Sequence, residues 1–493
     1  METKLYNHSL ALLTDLYQLT MSYGYWKSGM AEREAVFNLG FRRNPFRGGY
    51  SVACGLSTAI EYLKTQRFTD EDLAYLGTLT GNDGKPLFEN AFFEYLRGMR
   101  FTCDIDAIPE GTVVFPNEPL VRVRGPILQC QILETPLLNI MNFQTLIATK
   151  AARICHATGG EPVLEFGLRR AQGMDGALAA SRAAYLGGCA ATSNLLAGKL
   201  FGIPVKGTHA HSWVMSFDSE LESFKAYAKV MPNNCVFLVD TYDTLAGVRH
   251  AVEVGRELRR DGYEMVGIRL DSGDLSYFSI EARKILDEAG FQKTAIVASN
   301  DLDENVIASL KEQGARINVW GVGTHLVTAF DEPALGGVYK LAAIREANGE
   351  WLYKLKLSEQ AIKISTPGIQ QVRRFKSAPD AQRAEFIADM IYDEPLGAGT
   401  APIVVDPADA TRRKRIPAGT PYEDLLVPVF RGGEYVYKEP ALAESRARVR
   451  EQLAGFYQGV KRFVNPHRYE VGLEEKLHDL KTRLILEKRG AQQ

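Results

Sequence analysis

Residues 235–274 read CVFLVDTYDTLAGVRHAVEVGRELRRDGYEMVGIRLDSGD, and this stretch indicates the fold class. Two apolar runs, CVFLVD and MVGIRLD, flank a segment whose apolar residues recur every three or four positions. A strand, a helix and another strand in that order predict parallel strands joined by a crossover helix. The two runs are followed by polar side chains, which are therefore expected at the carboxyl ends of the strands: Asp240, Asp243, Arg269, Asp271 and Asp274.

The same unit recurs on both sides of this stretch. Runs typical of strands occupy 163–170, 204–211, 235–243, 264–274, 294–301 and 316–325. Helical patterns cover 175–200, 244–260 and 301–313. Each apolar run ends in a polar cluster, where barrels and open α/β sheets place their active sites. Because six strands are visible, the sequence predicts an α/β fold with an irregular or incomplete (β/α) barrel; closure to eight would need further segments such as 338–344.

The flanking regions have different patterns. Residues 12–98 read as helices, 101–131 as short antiparallel strands, and 132–160 as one long helix. After residue 356 come a basic loop, a loop-rich stretch and two charged amphipathic helices. We therefore predict three domains: an N-terminal α+β domain over 1–145, the barrel with the active site over 146–355, and a C-terminal extension over 356–493.

Composition narrows the function. The chain has 493 residues, of which 45% are hydrophobic and 24% charged, and these values exclude wholesale disorder. Lys and Arg total 58 against 60 Asp and Glu, so no net field directs the chain to nucleic acid or to an anionic membrane. The six cysteines are scattered, and no secretory signal or long apolar span is visible. We expect a cytoplasmic enzyme with neither a nucleic-acid nor a membrane partner.

The segment GTHAHS (207–212) places His209 and His211 two positions apart at a predicted strand end. Residues i and i+2 of a strand share one face, so both rings could reach one ligand. Three interpretations stay open: a catalytic zinc site, a nucleophilic or phosphoryl-accepting histidine, and two histidines that only form hydrogen bonds.

Arginine and aspartate follow a strand in GIRLDSGDL (267–275). Arg269 can grip a carboxylate with two hydrogen bonds, and Asp271 can accept ribose hydroxyls or hold magnesium through water. A local ion pair beside a turn is an equally good interpretation of the motif alone. In EFGLRR (165–170), Phe166 offers a ring for stacking and Arg169 a cation; a core aromatic and a solvated arginine are the alternative.

Two small-residue turns precede predicted helices, in VASND (297–301) and WGVGTHL (320–326). Backbone N–H groups in such turns bind phosphate, with help from the helix N-terminus. One such turn is weak support, but two on consecutive strands favour a phosphate ligand. The candidate residues are Ser299, Asn300, Gly321, Gly323 and Thr324.

Together these motifs closely resemble nicotinate phosphoribosyltransferases of the long form, which are type II phosphoribosyltransferases. The resemblance runs in order from about residue 12 to residue 375. It rests on TDLYQLTM (14–21), FNLGFRRNPFRGGY (37–50), EFGLRRAQG (165–173), AATSNLLAG (190–198), GTHAHSWVMSF (207–217), FLVDTYDT (237–244), GIRLDSGDL (267–275), ASNDLDE (298–304), VWGVGTHLVTAFDEPALGGVYKLAA (319–343) and KISTPGIQQVRRF (363–375).

The resemblance implies formation of nicotinate mononucleotide and pyrophosphate from nicotinate and phosphoribosyl pyrophosphate, with Mg²⁺ and coupled ATP hydrolysis, in NAD salvage. It implies catalytic roles for His211, Arg269 and Asp271, with His211 phosphorylated transiently from ATP. Phe166 and Tyr17 resemble the rings that sandwich nicotinate, the tyrosine being supplied by the partner subunit, which implies a homodimer.

The remaining roles also follow from the resemblance. Arg169, Thr208 and Ser212 are matched to substrate contacts. Lys363, in a basic loop, is matched to a phosphate contact, and the two turns with Ser299, Asn300, Gly321, Gly323 and Thr324 are matched to the 5′-phosphate. Mg²⁺ is expected through phosphates and water, with Asp271 as the candidate protein contact. No role is implied for His209.

Specificity and rival functions depend on fewer residues. Residues 187–194 (GGCAATSN) lack a carboxylate in the region where the related nicotinamide enzyme keeps an acidic group, which favours an anionic substrate. Quinolinate phosphoribosyltransferase ranks below the nicotinamide enzyme because it is shorter and lacks the histidine motif. A zinc-dependent barrel hydrolase and a catalytically silent binding protein remain as alternatives from other classes.

Overall fold

The computed structural model describes residues 9–360, 363–377 and 385–490. The chain separates into two compact units, Met1–Thr145 with Ala334–Gln493, and Leu146–Pro333. The long helix predicted over 132–160 is present as Glu134–Ala157. Within the described ranges, no helix is both long and apolar enough to cross a membrane. The three-domain division predicted from the sequence stays a prediction.

The unit Leu146–Pro333 is built around a six-stranded parallel sheet. Its strands carry buried aliphatic residues on both faces, as expected where helices cover a parallel sheet. In spatial order the strands are Ala191–Thr192, Val163–Glu165, Val319–Val322, Ala295–Ala298, Gly267–Leu270 and Val236–Leu238. No pairing of described strands closes this sheet. The predicted α/β fold with an incomplete barrel is therefore confirmed.

Helices follow the strands of this sheet as crossover connections. Three of them begin at aspartates that accept hydrogen bonds from backbone N–H groups of the first helical turn, namely Asp243, Asp274 and Asp303. These carboxylates satisfy donors that the helix itself leaves free. Part of the polar clustering after the strands is therefore helix capping. The helices are Met174–Gly187, Leu195–Phe201, His211–Met215, Glu220–Val230, Thr244–Arg260, Leu275–Glu288, Glu304–Glu312 and Thr324–Val327, with short 3-10 turns at Leu168–Arg170 and Pro232–Asn234.

The described residues of the other unit form three sheets. The seven-stranded sheet has the order Trp351–Tyr353, Gly337–Arg345, Glu34–Phe41, Pro119–Pro126, Asp104–Ala107, Val427–Arg431 and Glu434–Tyr435. The six-stranded sheet has the order Arg413–Arg415, Ile403–Val405, Val471–Glu474, Phe386–Asp393, Gln370–Lys376 and Tyr422–Asp424. A small pair joins Ser51–Val52 and Val113–Val114.

Helices of this unit pack against those sheets and against one another. An aromatic cluster that includes Phe88, Phe92 and Phe93 fills the space between the N-terminal helices. The two charged helices predicted near the C-terminus are present. The helices are Leu16–Lys27, Leu56–Thr65, Asp70–Leu76, Asn90–Gly98, Ile127–Ile132, Leu442–Gly455 and Glu475–Lys488, with 3-10 turns at Pro45–Arg47 and Gln458–Lys461.

Strand placement differs from the sequence prediction in four regions. Glu34–Phe41 lies in a region predicted as helical; it is a central strand paired on both sides, so burial on both faces hides the alternation that would have marked it. Residues 204–211 form only one bridge, Thr192 to Val205, because Pro204 lacks the N–H that a ladder needs. Residues 338–344 pair with Glu34–Phe41 and do not extend the parallel sheet. The stretch after residue 376, predicted as loop-rich, supplies most of a sheet.

Candidate active site

Arg269 is the centre of a hydrogen-bond cluster at the carboxyl ends of the parallel strands. Its side chain, 14% exposed, extends from the strand Gly267–Leu270. The guanidinium donates to Ser299 Oγ at 2.8 Å, to Thr208 Oγ1 at 3.0 Å and to Asp271 Oδ1 at 2.9 Å. Because three partners from three loops hold the planar group, its orientation is fixed before a ligand binds.

Asp271 lies between the guanidinium of Arg269 and the ring of His211. His211 Nε2 is 3.6 Å from Asp271 Oδ2, and His211 Nδ1 is 3.1 Å from Thr241 Oγ1. Burial opposes ionisation of Asp271, but the hydrogen bond from Ser299 and the charge of Arg269 outweigh it and lower the pKa of this carboxyl. Asp271 is therefore an ionised carboxylate at neutral pH, with one oxygen turned toward His211.

Asp240 and Thr241 contact the predicted site residues although the sequence assigned neither a role. Asp240 Oδ2 accepts from the backbone N–H of Asp271 and from Ser272 Oγ, both at 2.7 Å. Thr241 contacts the ring of His211. Both residues follow the strand Val236–Leu238, so their position at a carboxyl strand end was the signal that could have identified them.

Phe166 forms an apolar wall beside Arg269. The central guanidinium carbon of Arg269 lies 5.9 Å from the centroid of the Phe166 ring. The ring rests on the neighbouring strand at Gly321, where a Cβ atom would lie 2.8 Å from Phe166 Cδ2. Gly321 lies inside the strand Val319–Val322, so the close approach of the ring is what requires a glycine there.

Glu165 holds the turn that carries Phe166. Its side chain is fully buried, and its carboxylate accepts hydrogen bonds from the backbone N–H of Gly167, from Ser181 Oγ at 2.8 Å and from Thr192 Oγ1 at 2.5 Å. Three donors satisfy a buried charge that would otherwise be costly. This carboxylate is therefore a support for the turn.

Residues 187–194, where the sequence suggested a specificity loop, contain no acidic residue. The Asn194 carboxamide accepts from the backbone N–H of Ala197 at 3.2 Å and caps the helix Leu195–Phe201. Thr192 of this segment is bound to Glu165, whose carboxylate already has three donors. The segment therefore presents backbone and small side chains rather than a free negative charge.

The two predicted phosphate turns occupy consecutive strand ends. Ser299 is 5% exposed, and its hydroxyl joins Arg269 to Asp271. Asn300 and Asp301 then take positive φ angles of 104° and 34°, a conformation rare for residues with a side chain and found at binding sites. On the next strand, Gly323 directly precedes the short helix Thr324–Val327.

The side chains of His209 and His211 lie in different surroundings, the first in the core and the second beside Asp271. His209 is buried among Phe224 and Tyr227, and its Nε2 accepts from the backbone N–H of Leu238 at 3.3 Å. Burial lowers the pKa of His209 to about 4, so this ring is neutral. Across the described residues, no group of three or more His, Cys, Asp or Glu could hold a metal. The zinc interpretation of the histidine pair is therefore not supported.

The remaining predicted residues lie apart from this hydrogen-bond cluster. Arg169 and Ser212 are exposed at the same sheet edge, on the turn Leu168–Arg170 and the helix His211–Met215. Tyr17, 46% exposed, and Lys363 belong to the other unit.

The acidic residues of the cluster fit a hard cation held mainly by ligand phosphates. Asp240 Oδ1 is buried and has no hydrogen-bond partner among the described residues, and Asp271, whose backbone N–H donates to Asp240 Oδ2, presents a second carboxylate from the neighbouring strand end. Carboxylate oxygens suit Mg²⁺, which keeps several waters and binds through one or two protein carboxylates plus substrate phosphates.

Models of one protein family match most of the chain. The model described as "Nicotinate phosphoribosyltransferase (NAPRTase) family" matches residues 162–357. Models of the N-terminal and C-terminal domains of nicotinate phosphoribosyltransferase match residues 12–142 and 369–481.

Individual proteins agree with the family models. The chain is 45% identical over 486 residues to a nicotinate phosphoribosyltransferase of Bacillus subtilis, covering 97% of each chain. The crystal structure of human nicotinic acid phosphoribosyltransferase superposes with a TM-score of 0.82 at 33% identity, covering 96% of this chain and 99% of that one. A nicotinate-nucleotide pyrophosphorylase from Pyrococcus furiosus, 22% identical with a TM-score of 0.66, shares the fold over 90% of this chain and 95% of that one.

Proposed function

The chain belongs to the nicotinate phosphoribosyltransferase family, and from this premise we propose that it transfers the phosphoribosyl group of phosphoribosyl pyrophosphate to nicotinate. The C1′–O bond to pyrophosphate breaks and a bond from C1′ to the ring nitrogen forms, giving nicotinate mononucleotide. The ring nitrogen carries its own lone pair, so no base is needed. The observation that carries the proposal is the orientation of Arg269 by Thr208, Asp271 and Ser299 beside the Phe166 ring.

Arg269 has unused donors for an anionic ring substrate. A guanidinium has five N–H groups, and three of them are engaged by protein oxygens. The other two suit a carboxylate on a ring stacked against Phe166. Residues 187–194 offer no carboxylate that would repel nicotinate, which supports nicotinate over nicotinamide.

The transfer depends more on stabilising the departing pyrophosphate than on activating the nucleophile, because the ring nitrogen of nicotinate already carries a lone pair. In the proposed complex, Ser299, Asn300, Gly323 and Thr324 hold the 5′-phosphate, and Asp271 accepts from ribose hydroxyls. Mg²⁺, where bound, supplies positive charge to the phosphate oxygens. Lys363 is proposed to neutralise phosphates as well, because it is exposed and forms no ion pair among the described residues.

ATP coupling is proposed to pass through His211. The phosphoryl group moves from ATP to a ring nitrogen, the P–O bond to ADP breaks, and water later hydrolyses the N–P bond. If Nδ1–H donates to Thr241 Oγ1, the lone pair of His211 is left on Nε2, which we assign as the acceptor. A phosphate there adds negative charge beside Asp271 and reorganises the pocket around Mg²⁺ and pyrophosphate.

A homodimer is proposed to complete the site. On the helix Leu16–Lys27, Leu16, Tyr17 and Met21 are exposed by 53%, 46% and 39%, which supports contact of this face with a second copy. Tyr17 of the second copy would then close over the nicotinate ring. The product is a pyridine mononucleotide, so the reaction belongs to NAD salvage, and we propose a cytoplasmic location.

Product formation tests the proposal. The full chain is incubated with phosphoribosyl pyrophosphate and Mg²⁺, with nicotinate or nicotinamide and with or without ATP, and mononucleotides are resolved by chromatography. We expect nicotinate mononucleotide alone, with more of it when ATP is present. Product from nicotinamide would contradict the specificity, and no product from either would overturn the proposed function.

His211→Asn isolates the ATP step. The variant keeps a hydrogen-bonding side chain but removes the phosphoryl acceptor, so we expect no phosphoenzyme from γ-labelled ATP and no ATP-dependent gain in product. His209→Asn is the matched control, because His209 faces the core and its variant should still be phosphorylated once folded. Labelling of the His211 variant at the level of the unsubstituted protein would remove His211 from this role.

A further inference from the structure

A second cavity, separate from the parallel sheet, lies wholly within the unit that contains the N- and C-terminal regions. It encloses about 480 Å³, a size typical of small-molecule sites. We call it the basic cavity, because its lining includes Arg42, Arg43, His467, Arg468 and Lys481. These residues come from the turn after the strand Glu34–Phe41 and from the C-terminal extension.

Little negative charge balances these cations. No acidic residue is among the described residues that line the basic cavity. Arg468 pairs with Asp406 at 2.9 Å, whereas Arg42 and Arg43 form no ion pair and no side-chain hydrogen bond within the described chain. The surplus positive charge therefore faces the cavity rather than a protein carboxylate, which favours an anionic ligand.

Lys481 is the most constrained of these cations. Its Nζ donates to Thr366 Oγ1 at 3.1 Å, and no described carboxylate lies within ion-pair distance of it. Burial lowers the pKa of Lys481 to about 8, since no neighbouring charge offsets the desolvation of the ammonium. A partly buried ammonium with one neutral partner is unfavourable in the free protein, and a bound anion would supply the missing countercharge.

The inner wall of the basic cavity is apolar. Phe115 and Tyr469 stack with ring centroids 4.5 Å apart, and Pro466 and Leu473 continue this wall. Inorganic phosphate alone would leave such a surface unused. A ligand that joins a phosphate to a planar or apolar group would contact both the cations and the wall.

We propose that the basic cavity binds a phosphate monoester of nucleotide size, with its phosphate on Arg43 and Lys481. The proposal does not depend on the function assigned to the parallel sheet. Lys363, for which a phosphate role is proposed, lines an adjoining smaller cavity that shares Arg42, so neither residue is used to test this site.

Calorimetric titration of the full chain with AMP tests the proposal in the Arg269→Ala background, which removes the central cation of the parallel-sheet site. We expect one AMP per chain to bind Arg269→Ala. Adding Lys481→Met should weaken binding about tenfold, as expected for loss of one charge-assisted hydrogen bond. Adding Lys488→Met, an exposed lysine on the same helix, should leave binding unchanged. Arg43→Ala, at an exposed position, tests the second proposed phosphate contact independently of Lys481 and should also weaken AMP binding.

Three results would overturn the site. If Arg269→Ala alone abolishes AMP binding, the basic cavity is not a separate site. If Lys481→Met and Arg43→Ala both bind AMP like their parent while remaining folded by circular dichroism, the cations do not hold a ligand. If inorganic phosphate binds as tightly as AMP, the apolar wall takes no part and the ligand class is wrong.

Discussion

Two arginine–aspartate pairs, one in each unit, have the same chemistry and opposite surroundings. Arg269 and Asp271 lie at a strand end with side chains 14% and 25% exposed. Arg374 and Asp389 lie opposite each other on paired antiparallel strands, and both side chains are fully buried. We call Arg269 and Asp271 the open pair, because they face a site that small molecules can reach. We call Arg374 and Asp389 the sealed pair, because solvent reaches neither side chain.

The sealed pair is almost fully hydrogen-bonded within the protein. Besides Asp389, Arg374 donates to Gln452 Oε1 at 2.7 Å and to the Val113 carbonyl at 2.8 Å, while Tyr469 donates to Asp389 at 3.0 Å. The open pair keeps two free N–H groups and one carboxylate oxygen directed at His211. Unused hydrogen-bonding capacity, rather than residue type, therefore distinguishes a binding pair from a structural one.

The largest expected effect is on stability, at the sealed pair. Arg374→Met leaves Asp389 as a buried carboxylate without its cation, so the free energy of unfolding should fall by about 3–5 kcal/mol. Arg373→Met, on the same strand and paired with the half-exposed Asp424, should cost about 1 kcal/mol. Urea unfolding measures both. If the two variants lose equal free energy of unfolding, burial of the Arg374–Asp389 pair does not set the size of the effect.

At the open pair, the expected effect is on catalysis. Arg269→Lys keeps the charge but loses the planar fork, so kcat/KM for nicotinate should fall about 100- to 1,000-fold with little change in the urea midpoint. Arg259→Lys is the matched control, because Arg259 makes a two-point contact with Glu264 on the surface. If Arg269→Lys lowers the urea midpoint but leaves kcat/KM unchanged, Arg269 has a structural role and not a catalytic one.

A smaller effect is expected at the ring beside the open pair. In Gly321→Ala the new methyl carbon would lie 2.8 Å from Phe166 Cδ2, so the ring must move and KM for nicotinate should rise about tenfold. Gly98→Ala, where a Cβ meets no atom within 4 Å, serves as the control in steady-state kinetics. An unchanged KM in Gly321→Ala would show that the ring does not set the nicotinate position.

The smallest expected effect is a pH dependence of stability, caused by Glu118, a buried side chain next to the sealed pair. Burial, and then the charge of Asp389, raise the pKa of Glu118 well above its usual range, so this side chain is protonated in the folded protein at pH values where the unfolded chain ionises. A raised carboxyl pKa gives stability at low pH that is lost as pH rises through the folded value. Glu118→Gln should remove this loss, so urea midpoints of the two proteins should diverge as pH increases. Parallel pH profiles would show that Glu118 is ionised when folded.

Local patterns determined much of the architecture. The repeated strand–helix order over 163–325 predicted the parallel sheet and its incomplete closure, and the polar residues at the carboxyl ends of the predicted strands included Arg269, Asp271, His211 and Ser299. These features follow from periods of two and 3.6 residues and from the rule that parallel strands end at one edge. The sequence did not predict the strand Glu34–Phe41, because burial on both faces removes the alternation of apolar and polar residues. It did not predict the C-terminal sheet, because short irregular strands show no clear hydrophobic period.

The sequence by itself determined the family resemblance, the kind of sheet and the residue types at its edge. Only the tertiary structure decided which of the two histidines of GTHAHS faces the core and which faces Asp271. It also decided which arginine–aspartate pair is sealed. The physical reason is that solvent exposure and hydrogen-bond partners depend on residues distant in sequence, such as Ser299 and Thr208, which are 30 and 61 positions from Arg269, and no local pattern encodes those contacts.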